Sequence, residues 1–581
     1  MMCHSYPSLL LLAFCLAFGA AAPAATYYVA PHGNDDNPGS LDLPWRTIQF
    51  ATNVLAAGDT VRVQPGTYDE RIQSGRGGSN ETSRITFLAD GRVVVRGWRI
   101  VSPFISVRGF EVTGHSASDV YAGHVEVTAN GDHFEFLDNT VRDGIYQVVS
   151  DAVFSTSSEG LGTLSSATGG FLASRFQPGQ FIWIGRASPN PILNGGNHRI
   201  ASLDNHTLVV TNAFAAETAP PVYVSGAMNY GLVLRTGSEN AVIRGNTFDN
   251  LSFDAWFIQG SGHLLETNVI TRSQGWDAIH FMGSDHVFRG NYISAPDLVV
   301  FQNSPDAFEN WPTTRYERIL FTGNFVNGFA GVLGAQKMSS ITDMGPLTIS
   351  HNIFVDVNRF SIRFANTTVR NNVFLNVGPN GNAVTATSQH ALTFSGIFAT
   401  NAVVENNVFV GCGASRTPDT HGWYEVTGGA TASSLGPNFV AGPAPEFAPK
   451  SGFLEGVPLL NGGDPGFVNV LDPLGPDGIP FTADDGLRLR PDSKLFGAGA
   501  GGLSFGAYLD ASTPPQLAIA PAPDDAILVS WPAPGTGYSL QRFDPEAGSW
   551  SHVDHTPQLL DERLSIRLPI EKPMELFRLV K

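Results

Sequence analysis

A short asparagine-containing phrase recurs along the chain and constrains the fold more than any other feature. In each copy an apolar residue stands three positions before the Asn and another stands two positions after it. The shared residues are Asn139, Asn246, Asn268, Asn291, Asn324, Asn352, Asn372 and Asn407. From Asn246 onward the gaps are 22, 23, 33, 28, 20 and 35 residues. Such spacing indicates one coil of a solenoid per copy, with loops of varying length.

The units between the asparagines predict an all-β fold. They contain short β-like runs broken by Gly, Asn and Asp, without a helical period. A single coil cannot bury its apolar face, so the coils must stack with their strands parallel and about 4.8 Å apart. We expect each Asn at a corner, adopting left-handed backbone and bonding the next Asn of its column. This predicts a parallel β-helix in which the asparagines are scaffold.

The first 25 residues predict export. An apolar run from Leu9 to Phe18 is followed by Ala-Pro-Ala at Ala22 to Ala24, the layout of a cleaved signal peptide whose apolar core is too short to span a bilayer. After cleavage only Cys412 remains, so no internal disulfide is expected. We expect a secreted or cell-surface protein that is a monomer and has no membrane span.

Composition and charge exclude some partners. The 63 Gly and 38 Pro residues, with only 15% charged residues, describe a turn-rich β protein. The formal net charge of −18 argues against nucleic acid and anionic membranes as partners. An acidic polysaccharide would also be repelled at long range, so binding one requires a local basic cluster or a bound cation.

The segment after the signal resembles a known class of proteins. Thr26 to Ser40, Pro44 to Ile48, Gly58 to Val61 and Pro65 to Tyr68 closely resemble the N-terminal cap and first coil of secreted right-handed β-helix proteins of the pectate-lyase-like class. The resemblance implies a right-handed β-helix, with a short helix from Ile48 to Ala57 over its open end. It implies little about activity, because the same cap heads lyases, hydrolases and proteins of no known activity.

The break in the repeat predicts an inserted module. Asn139 and Asn246 are 107 residues apart, far more than one coil. Residues 151–226 carry short strand-like runs without the Asn phrase, which favours a small β-barrel or sandwich. Residues 26–150 are then the cap and first coils, and residues 227–511 continue the β-helix.

The C-terminal part predicts a closing segment and a separate domain. Residues 461–502 resemble the closing segment of exported bacterial β-helix proteins. Its carboxylates Asp472, Asp477, Asp484 and Asp485 are spaced by glycines in a way that suits calcium, although Asp-Gly pairs are also ordinary turn residues. Residues 512–581 alternate apolar and polar residues and are similar to fibronectin-like β-sandwich modules.

Two long loops and one strand column predict an active face. The loop from 303 to 318 carries candidate sugar-binding residues, and the loop from 335 to 345 carries Lys337, an isolated lysine able to act as a base. The predicted binding residues are Asp306, Glu309, Trp311, Arg315 and Tyr316. Aligning the strands after each Asn predicts an outward column of Phe257, His280, Val300, Leu333 and Arg363. We predict Lys337, His280 and Arg363 as the catalytic residues.

A second resemblance concerns a metal. Asp254-Ala-Trp-Phe257 and Ser273-Gln-Gly-Trp-Asp277 resemble polysaccharide lyase family nine, a calcium-dependent family of pectate lyases. The resemblance implies Asp254 and Asp277 as calcium ligands. The chain departs from the family pattern, because Ser273-Gln274 replaces an Asp-Asp pair and the next coil offers no lysine.

Three functions remain open. A polysaccharide lyase would remove the proton beside a uronic carboxylate, with Lys337 or His280 as base. A glycoside hydrolase would use two carboxyl groups, for which Asp306 and Glu309 are the natural pair. A non-catalytic surface protein would use the coil as a stalk and the loops to bind glycans. The polysaccharide lyase is the preferred prediction, with an extracellular polysaccharide as partner and calcium as the one candidate cofactor.

Overall fold

The computed structural model shows a right-handed parallel β-helix that carries an inserted module and is followed by a β-sandwich. It describes residues 24–580 apart from 114–122, 187–191, 220, 227–229, 274–276, 295–306, 311–315, 330, 336–344, 358–359, 378–391, 396–399, 413–423, 428–431, 442–459, 462, 501–502, 509–516, 523–525, 533–538, 545–548, 554–557, 561–562 and 570–575. No helix in this described part is long and apolar enough to cross a membrane.

Each coil contributes strands to three parallel sheets, here named A, B and C. Sheet A stacks Thr26–Val29, Thr60–Val63, Glu135–Leu137, Val242–Arg244, Leu264–Glu266, Val287–Arg289, Ile319–Thr322, Leu347–Ser350, Thr367–Arg370, Ala402–Glu405 and Ala432–Leu435. Sheet B follows the ladder asparagines and stacks Thr140–Arg142, Thr247–Leu251, Val269–Ser273, Tyr292–Ser294, Phe325–Asn327, Ile353–Val355, Val373–Leu375, Val408–Val410, Phe439–Val440 and Leu460–Asn461.

Sheet C completes the coils. It stacks Gly123–Val127, Tyr230–Leu234, Trp256–Ile258, Ile279–Phe281, Phe308–Asn310 and Gly334–Ala335. The same side of the later coils is formed by the parallel strands Ser361–Ile362, Leu392–Ser395 and Tyr424–Thr427. Three early strands turn corners between sheets: Gly66–Gln73, Ile85–Ile100 and Ile105–Thr113. Gly283–Ser284 and Tyr316–Glu317 form a short additional parallel pair.

The N-terminal opening of the coil is covered by one short helix. Thr47 is the N-cap of the helix Ile48–Val54, and its side chain accepts a hydrogen bond from the Phe50 N–H. Ile48, Ala51 and Thr52 are its buried residues. This arrangement shields a solenoid end that would otherwise expose apolar side chains.

The asparagine repeat occupies the predicted columns. The apolar residues three before and two after each Asn face the core, as shown by the full burial of Ile243 and Phe248 around Asn246. Each buried Asn binds the next, so that Asn246 donates to Asn268 Oδ1 from its backbone N at 3.0 Å and from its Nδ2 at 2.9 Å. The ladder has one further rung, Asn438, which accepts from Asn407.

The predicted backbone of the ladder asparagines is wrong in one respect. The left-handed residue is the one before each of the eight asparagines of the repeat, including Gly245 at φ 67° and Thr267 at φ 53°. Pro437, which precedes Asn438, is not left-handed. That residue makes the corner, because its left-handed turn brings the following Asn amide inward to its neighbours. Glycine and small polar residues suit such positions.

The inserted module is an antiparallel eight-stranded sheet. Its strands are Tyr146–Val149, Val153–Thr156, Gly162–Ser165, Phe181–Arg186, Gly196–Leu203, Thr207–Val210, Glu217–Thr218 and Val222–Ser225. The module has its own apolar core, which includes Phe154, Ile184 and Leu208. Its first and last strands pair with each other, because Tyr146 lies opposite Ser225. Both connections to the coil therefore leave from one end of the module.

The closing segment lies along sheet B. Phe467, Leu487, Leu495 and Phe505 pack with outward apolar residues of that sheet, such as Ile353. Asn371 Nδ2 donates to the Ser504 carbonyl at 2.7 Å. The segment thus covers a side of the coil that would otherwise expose apolar residues over several turns.

The C-terminal domain consists of two antiparallel sheets around one core. One contains Ala518–Ala522, Ala526–Pro532, Gln558–Leu560 and Arg563–Pro569, and the other contains Ser539–Asp544, Ser549–His552 and Phe577–Val580. Trp531 from the first sheet and Leu540 from the second belong to the same buried cluster. This is the predicted β-sandwich; its relation to fibronectin-like modules stays a prediction.

Candidate active site

A buried cluster of two carboxylates and one imidazole lies on the outer side of sheet C. Asp254 comes just before the strand Trp256–Ile258, and Asp277 comes just before the next strand, Ile279–Phe281. Trp256 and Ile279 point into the core, and so His280 points outward opposite Phe257. Stacking two successive coils is what brings Asp254 beside Asp277 and His280.

The three side chains contact one another closely. His280 Nδ1 lies 2.9 Å from Asp254 Oδ2, and His280 Nε2 lies 3.0 Å from Asp277 Oδ2. The backbone N–H of Asp277 donates to Asp254 Oδ1 at 2.9 Å. The residues are only 0%, 5% and 3% exposed for Asp254, Asp277 and His280. One ligand atom from each lies within 4.8 Å of the others, a spacing that allows all three to hold one metal ion.

The charge of this cluster suits a cation. Two buried carboxylates carry two negative charges, and the imidazole supplies at most one positive charge. Asp254 Oδ2 receives no well-oriented hydrogen bond from any donor in the described residues. Buried charges are costly unless they are paired or bind a metal. The donor set therefore fits a divalent cation, and its carboxylate oxygens are of the kind that calcium prefers.

The inserted module supports the segment that carries Asp254. Tyr223 is fully buried, and its hydroxyl donates to the Ser252 carbonyl at 2.5 Å. Burial, the neighbouring Tyr146 and the Asp254 carboxylate all raise the pKa of Tyr223, which keeps the hydroxyl protonated and able to donate. The chain approaches closely here, since a Cβ at Gly144 would lie 2.1 Å from the Ser252 nitrogen.

The predicted outward column is partly wrong. Phe257 and His280 are neighbours as expected, but the next residue of the column is Glu309 rather than Val300. Glu309 in turn lies opposite Gly334, and Leu333 is buried. The chain between Ile293 and Phe308 is longer than an ordinary connection, so the strand of this coil begins later than the aligned spacing indicated.

The proposed sugar-binding residues have different outcomes. Tyr316 cannot stack on a sugar, because it is 0% exposed and packs inside the coil against Phe281 and Phe364. Glu309 belongs to the strand opposite His280. The other predicted binding residues, Asp306, Trp311 and Arg315, lie outside the described residues.

The other two predicted catalytic residues are Lys337 and Arg363. Lys337 lies outside the described residues, but it follows the strand Gly334–Ala335, which pairs with the strand of Glu309. Arg363 is partly exposed between the buried Ile362 and Phe364. The strand that precedes Lys337 in the chain is therefore two coils beyond the strand of His280.

The closing segment brings three of its four predicted metal ligands together. Asp477, Asp484 and Asp485 form a group, and Asp472 is not part of it. Asp485 is buried and accepts from the Tyr508 hydroxyl at 2.7 Å. Burial raises the pKa of Asp485. The Thr482 hydroxyl donates a hydrogen bond to Asp484 Oδ1 at 2.7 Å within the same turn.

The sequence did not reveal one polar group on sheet C. Arg71, Arg99 and Arg235 converge on Glu126 from three coils. Arg71 and Arg235 are far apart in the chain, and the inserted module separates Arg235 from the other two. No spacing in the sequence places the three arginines together without the register of the coils. The sequence indicates only that each arginine points outward, because it stands beside an inward apolar residue.

Comparisons with known proteins match parts of the chain. A family model described as right handed beta helix region matches residues 230–430, and one described as a protein of unknown function (DUF1565) matches residues 31–75. The uncharacterized protein YwoF of Bacillus subtilis is 30% identical over 132 residues, which are 20% of this chain and 28% of that protein. Pectate lyase PEL9 of Emericella nidulans is 34% identical over 77 residues, which are 13% of this chain and 19% of that protein.

Solved structures resemble the chain over greater lengths. The structure of XylC with xylose covers 96% of this chain and 100% of its own, with 12% identity and a TM-score of 0.34. Pectate lyase Pel9A covers 84% and 97%, with 14% identity and a TM-score of 0.37. The two curated relatives are matched over less than a third of their lengths.

Proposed function

Because this chain has the pectate-lyase-like right-handed parallel β-helix fold, we propose that it is an exported polysaccharide lyase acting on a uronic-acid-containing polysaccharide. The observation that carries the proposal is the cluster of Asp254, Asp277 and His280 on the outer side of sheet C. The fold alone serves many activities, so the function must come from such a site. The short match to a pectate lyase supports the same substrate class.

The cluster would hold calcium. Asp254 and Asp277 supply oxygen ligands, and His280 fixes their orientation from between them. Bound calcium would neutralise the uronic carboxylate and so make the adjacent C–H more acidic. A cation here would also supply a local positive charge for an acidic polymer on a chain of net charge −18.

The base of the reaction is assigned to Lys337. Both ring nitrogens of His280 face carboxylates, which leaves the imidazole a role within the cluster. Lys337 follows a sheet C strand two coils beyond His280 and can lose its proton at accessible pH. In β-elimination the base takes the C5 proton, the C4–O bond breaks, a C4=C5 double bond forms, and the leaving oxygen gains a proton.

The test is an assay for unsaturated ends. The full chain is incubated with pectins, alginates and sulfated glycans, with and without a chelator. We expect unsaturated products from a uronate polymer, loss of activity with chelator, and recovery with calcium. Lys337→Ala should reduce turnover roughly 100-fold or more, as for loss of a general base. New reducing ends without unsaturation would instead indicate a hydrolase, and binding without cleavage would indicate a surface protein.

Variants of the cluster connect the activity to this site. Asp254→Asn should abolish the calcium dependence and most of the activity, because it removes a ligand charge. Asp90→Asn is a matched control: Asp90 pairs with Arg62 at 2.6 Å on the side of sheet A, away from the cluster. Equal activity of the two variants would exclude Asp254 as a calcium ligand.

A further inference from the structure

We propose that Arg71, Arg99 and Arg235 form a second subsite, which binds a uronate carboxylate of the same polysaccharide chain. This inference rests on the proposed function, because it requires an acidic polymer across sheet C. The three guanidinium groups surround one carboxylate, Glu126. Arg71 Nη2 and Arg99 Nε each lie 3.3 Å from Glu126 Oε2, and Arg235 Nη2 lies 3.0 Å from Oε1.

The register places this group on the same outer face as the metal cluster. Arg99 lies opposite Glu126, Glu126 opposite Val233, and Val233 opposite Phe257. Phe257 is opposite His280. Glu126 and His280 are therefore three coils apart, which is about 14 Å at one strand spacing per coil. A polysaccharide lying along the coil axis would meet the arginines and the Asp254 cluster in turn.

The outward column between the two groups is apolar, and Phe257 is its partly exposed residue. Val233 is fully buried, and Phe257 packs on it with its ring partly exposed. The ring of Phe257 lies 6.2 Å from that of His280 and 5.0 Å from that of Tyr230. Aromatic faces of this kind suit the apolar faces of sugar rings, whereas the ends of the path are charged. Phe257 thus offers an apolar contact for a C–H face of the polymer between the two charged groups.

The arginine group has the chemistry of an anion site. Three guanidinium groups and one carboxylate carry two net positive charges in a chain whose formal net charge is −18. The arginine side chains are 27%, 39% and 28% exposed for Arg71, Arg99 and Arg235, whereas Glu126 is 11% exposed. Glu126 is thus the more buried partner of the group, and the three arginine side chains are partly exposed. Planar guanidinium groups bind carboxylates bidentately, which favours a uronate over a neutral sugar.

The test compares long and short anionic oligomers. Dissociation constants are measured by calorimetry for octamers and dimers of galacturonate and of mannuronate, in the Lys337→Ala background to prevent turnover. Arg99→Gln should weaken octamer binding about tenfold, the change expected from losing one hydrogen bond to a charged group. Binding of the dimer should not change, since a dimer cannot span three coils from the metal cluster.

Arg92→Gln is the matched control. Arg92 is also a strand arginine paired with a glutamate, with its Nε 3.0 Å from Glu111 Oε2, but it lies beside sheet B. It should leave both constants unchanged. The octamer affinity of the Lys337→Ala protein should also decrease with salt more steeply than that of the same protein carrying Arg99→Gln. If Arg99→Gln does not fold, Arg235→Gln is measured in its place.

The outcomes separate this proposal from the lyase assignment. Arginine-sensitive octamer binding in a protein that forms no unsaturated ends supports the subsite and overturns the lyase. Cleavage with octamer binding that is insensitive to Arg99 and Arg235 overturns the subsite and leaves the lyase. Failure of the Lys337→Ala protein to bind either octamer overturns the subsite. The subsite is also overturned if Arg99→Gln weakens binding of a methyl-esterified octamer as much as binding of the free acid.

Discussion

At the residue scale, the ladder asparagines show what a local pattern can predict. The offsets of the apolar neighbours and the stacking of the amides followed from the sequence, because a coil repeats the same inward positions in every turn. Asn438 also has apolar residues three before and two after it, Leu435 and Val440. Gly436-Pro437 precedes it, so this copy looks different from the others and is not part of the predicted repeat. The corner residue was misassigned, because tolerance of left-handed backbone is shared by the Asn and by the residue before it.

Asn268→Ala should reduce stability without affecting chemistry. Asn268 Oδ1 accepts from the backbone and the side chain of Asn246, and its Nδ2 donates to the Ile243 carbonyl at 2.9 Å. Removing the amide leaves buried polar groups unpaired, at a cost of about 1 to 3 kcal/mol. Urea unfolding measures this change. Asn130→Ala is the control, since Asn130 is exposed in a turn and is not a left-handed residue, so that the change should shift the midpoint little. An unchanged midpoint for Asn268→Ala would contradict the structural role of the ladder.

At the element scale, the sequence predicted strands better than their register. The insertion was recognised from the gap before Asn246, but its contact with Ser252 was not, because no local pattern relates Tyr223 to a coil that follows it. Similarly, the connection before the strand of Glu309 is long, and Glu309 therefore occupies the position opposite His280 that the sequence predicted for Val300. Asp254 and Asp277 were flagged as ligands and His280 as a base. That these three residues form one cluster follows only from the strand register, which places Phe257 opposite His280.

Tyr223→Phe should test whether the inserted module positions Asp254. The variant removes the hydrogen bond to the Ser252 carbonyl, two residues before Asp254. We expect weaker calcium binding by about tenfold, in line with one buried hydrogen bond, and a lower kcat with the same products. Calorimetric titration with calcium measures the affinity.

Tyr68→Phe provides the comparison for that experiment. Tyr68 is also a buried tyrosine that donates to a carbonyl, that of Gln64 at 3.0 Å, but it lies in the first coils. Both variants should lose similar stability, and only Tyr223→Phe should lose calcium affinity. Equal calcium affinities in the two variants would mean that the module has no positioning role.

At the scale of the whole molecule, buried histidines are distributed along the coil. Besides His280 of the cluster, they include His124, His263, His286 and His351. Burial is the main cause that lowers each pKa, to about 4 for His124 and His286 and to about 3 for His351. For His263 burial lowers the pKa well below its usual value. The coil therefore folds around neutral imidazoles in several turns, and protonation opposes folding.

The contacts of His263 and His286 explain why these rings stay neutral. Their Nε2 atoms face the carbonyls of Gln259 at 2.7 Å and Met282 at 3.0 Å, so Nε2 carries the proton. Nδ1 of His263 accepts from the Ala241 N–H at 3.1 Å. A second proton on Nδ1 would meet that donor. The two rings also stack at 5.0 Å, so that two charges would repel.

The pH dependence of stability follows from these lowered values. A histidine whose folded pKa lies below its unfolded value of about 6.5 contributes its full stability above that pH and loses it as the pH falls. Between pH 6.5 and 4, each such histidine should reduce the free energy of unfolding by roughly 1.4 kcal/mol per pH unit. Urea unfolding at several pH values should show this slope, and His286→Asn should make it shallower by one proton. His552→Asn, a change at an exposed residue of the C-terminal domain, should not alter the slope. A flat profile in the parent, or an identical slope in His286→Asn, would show that protonation of these imidazoles does not limit the stability of the coil.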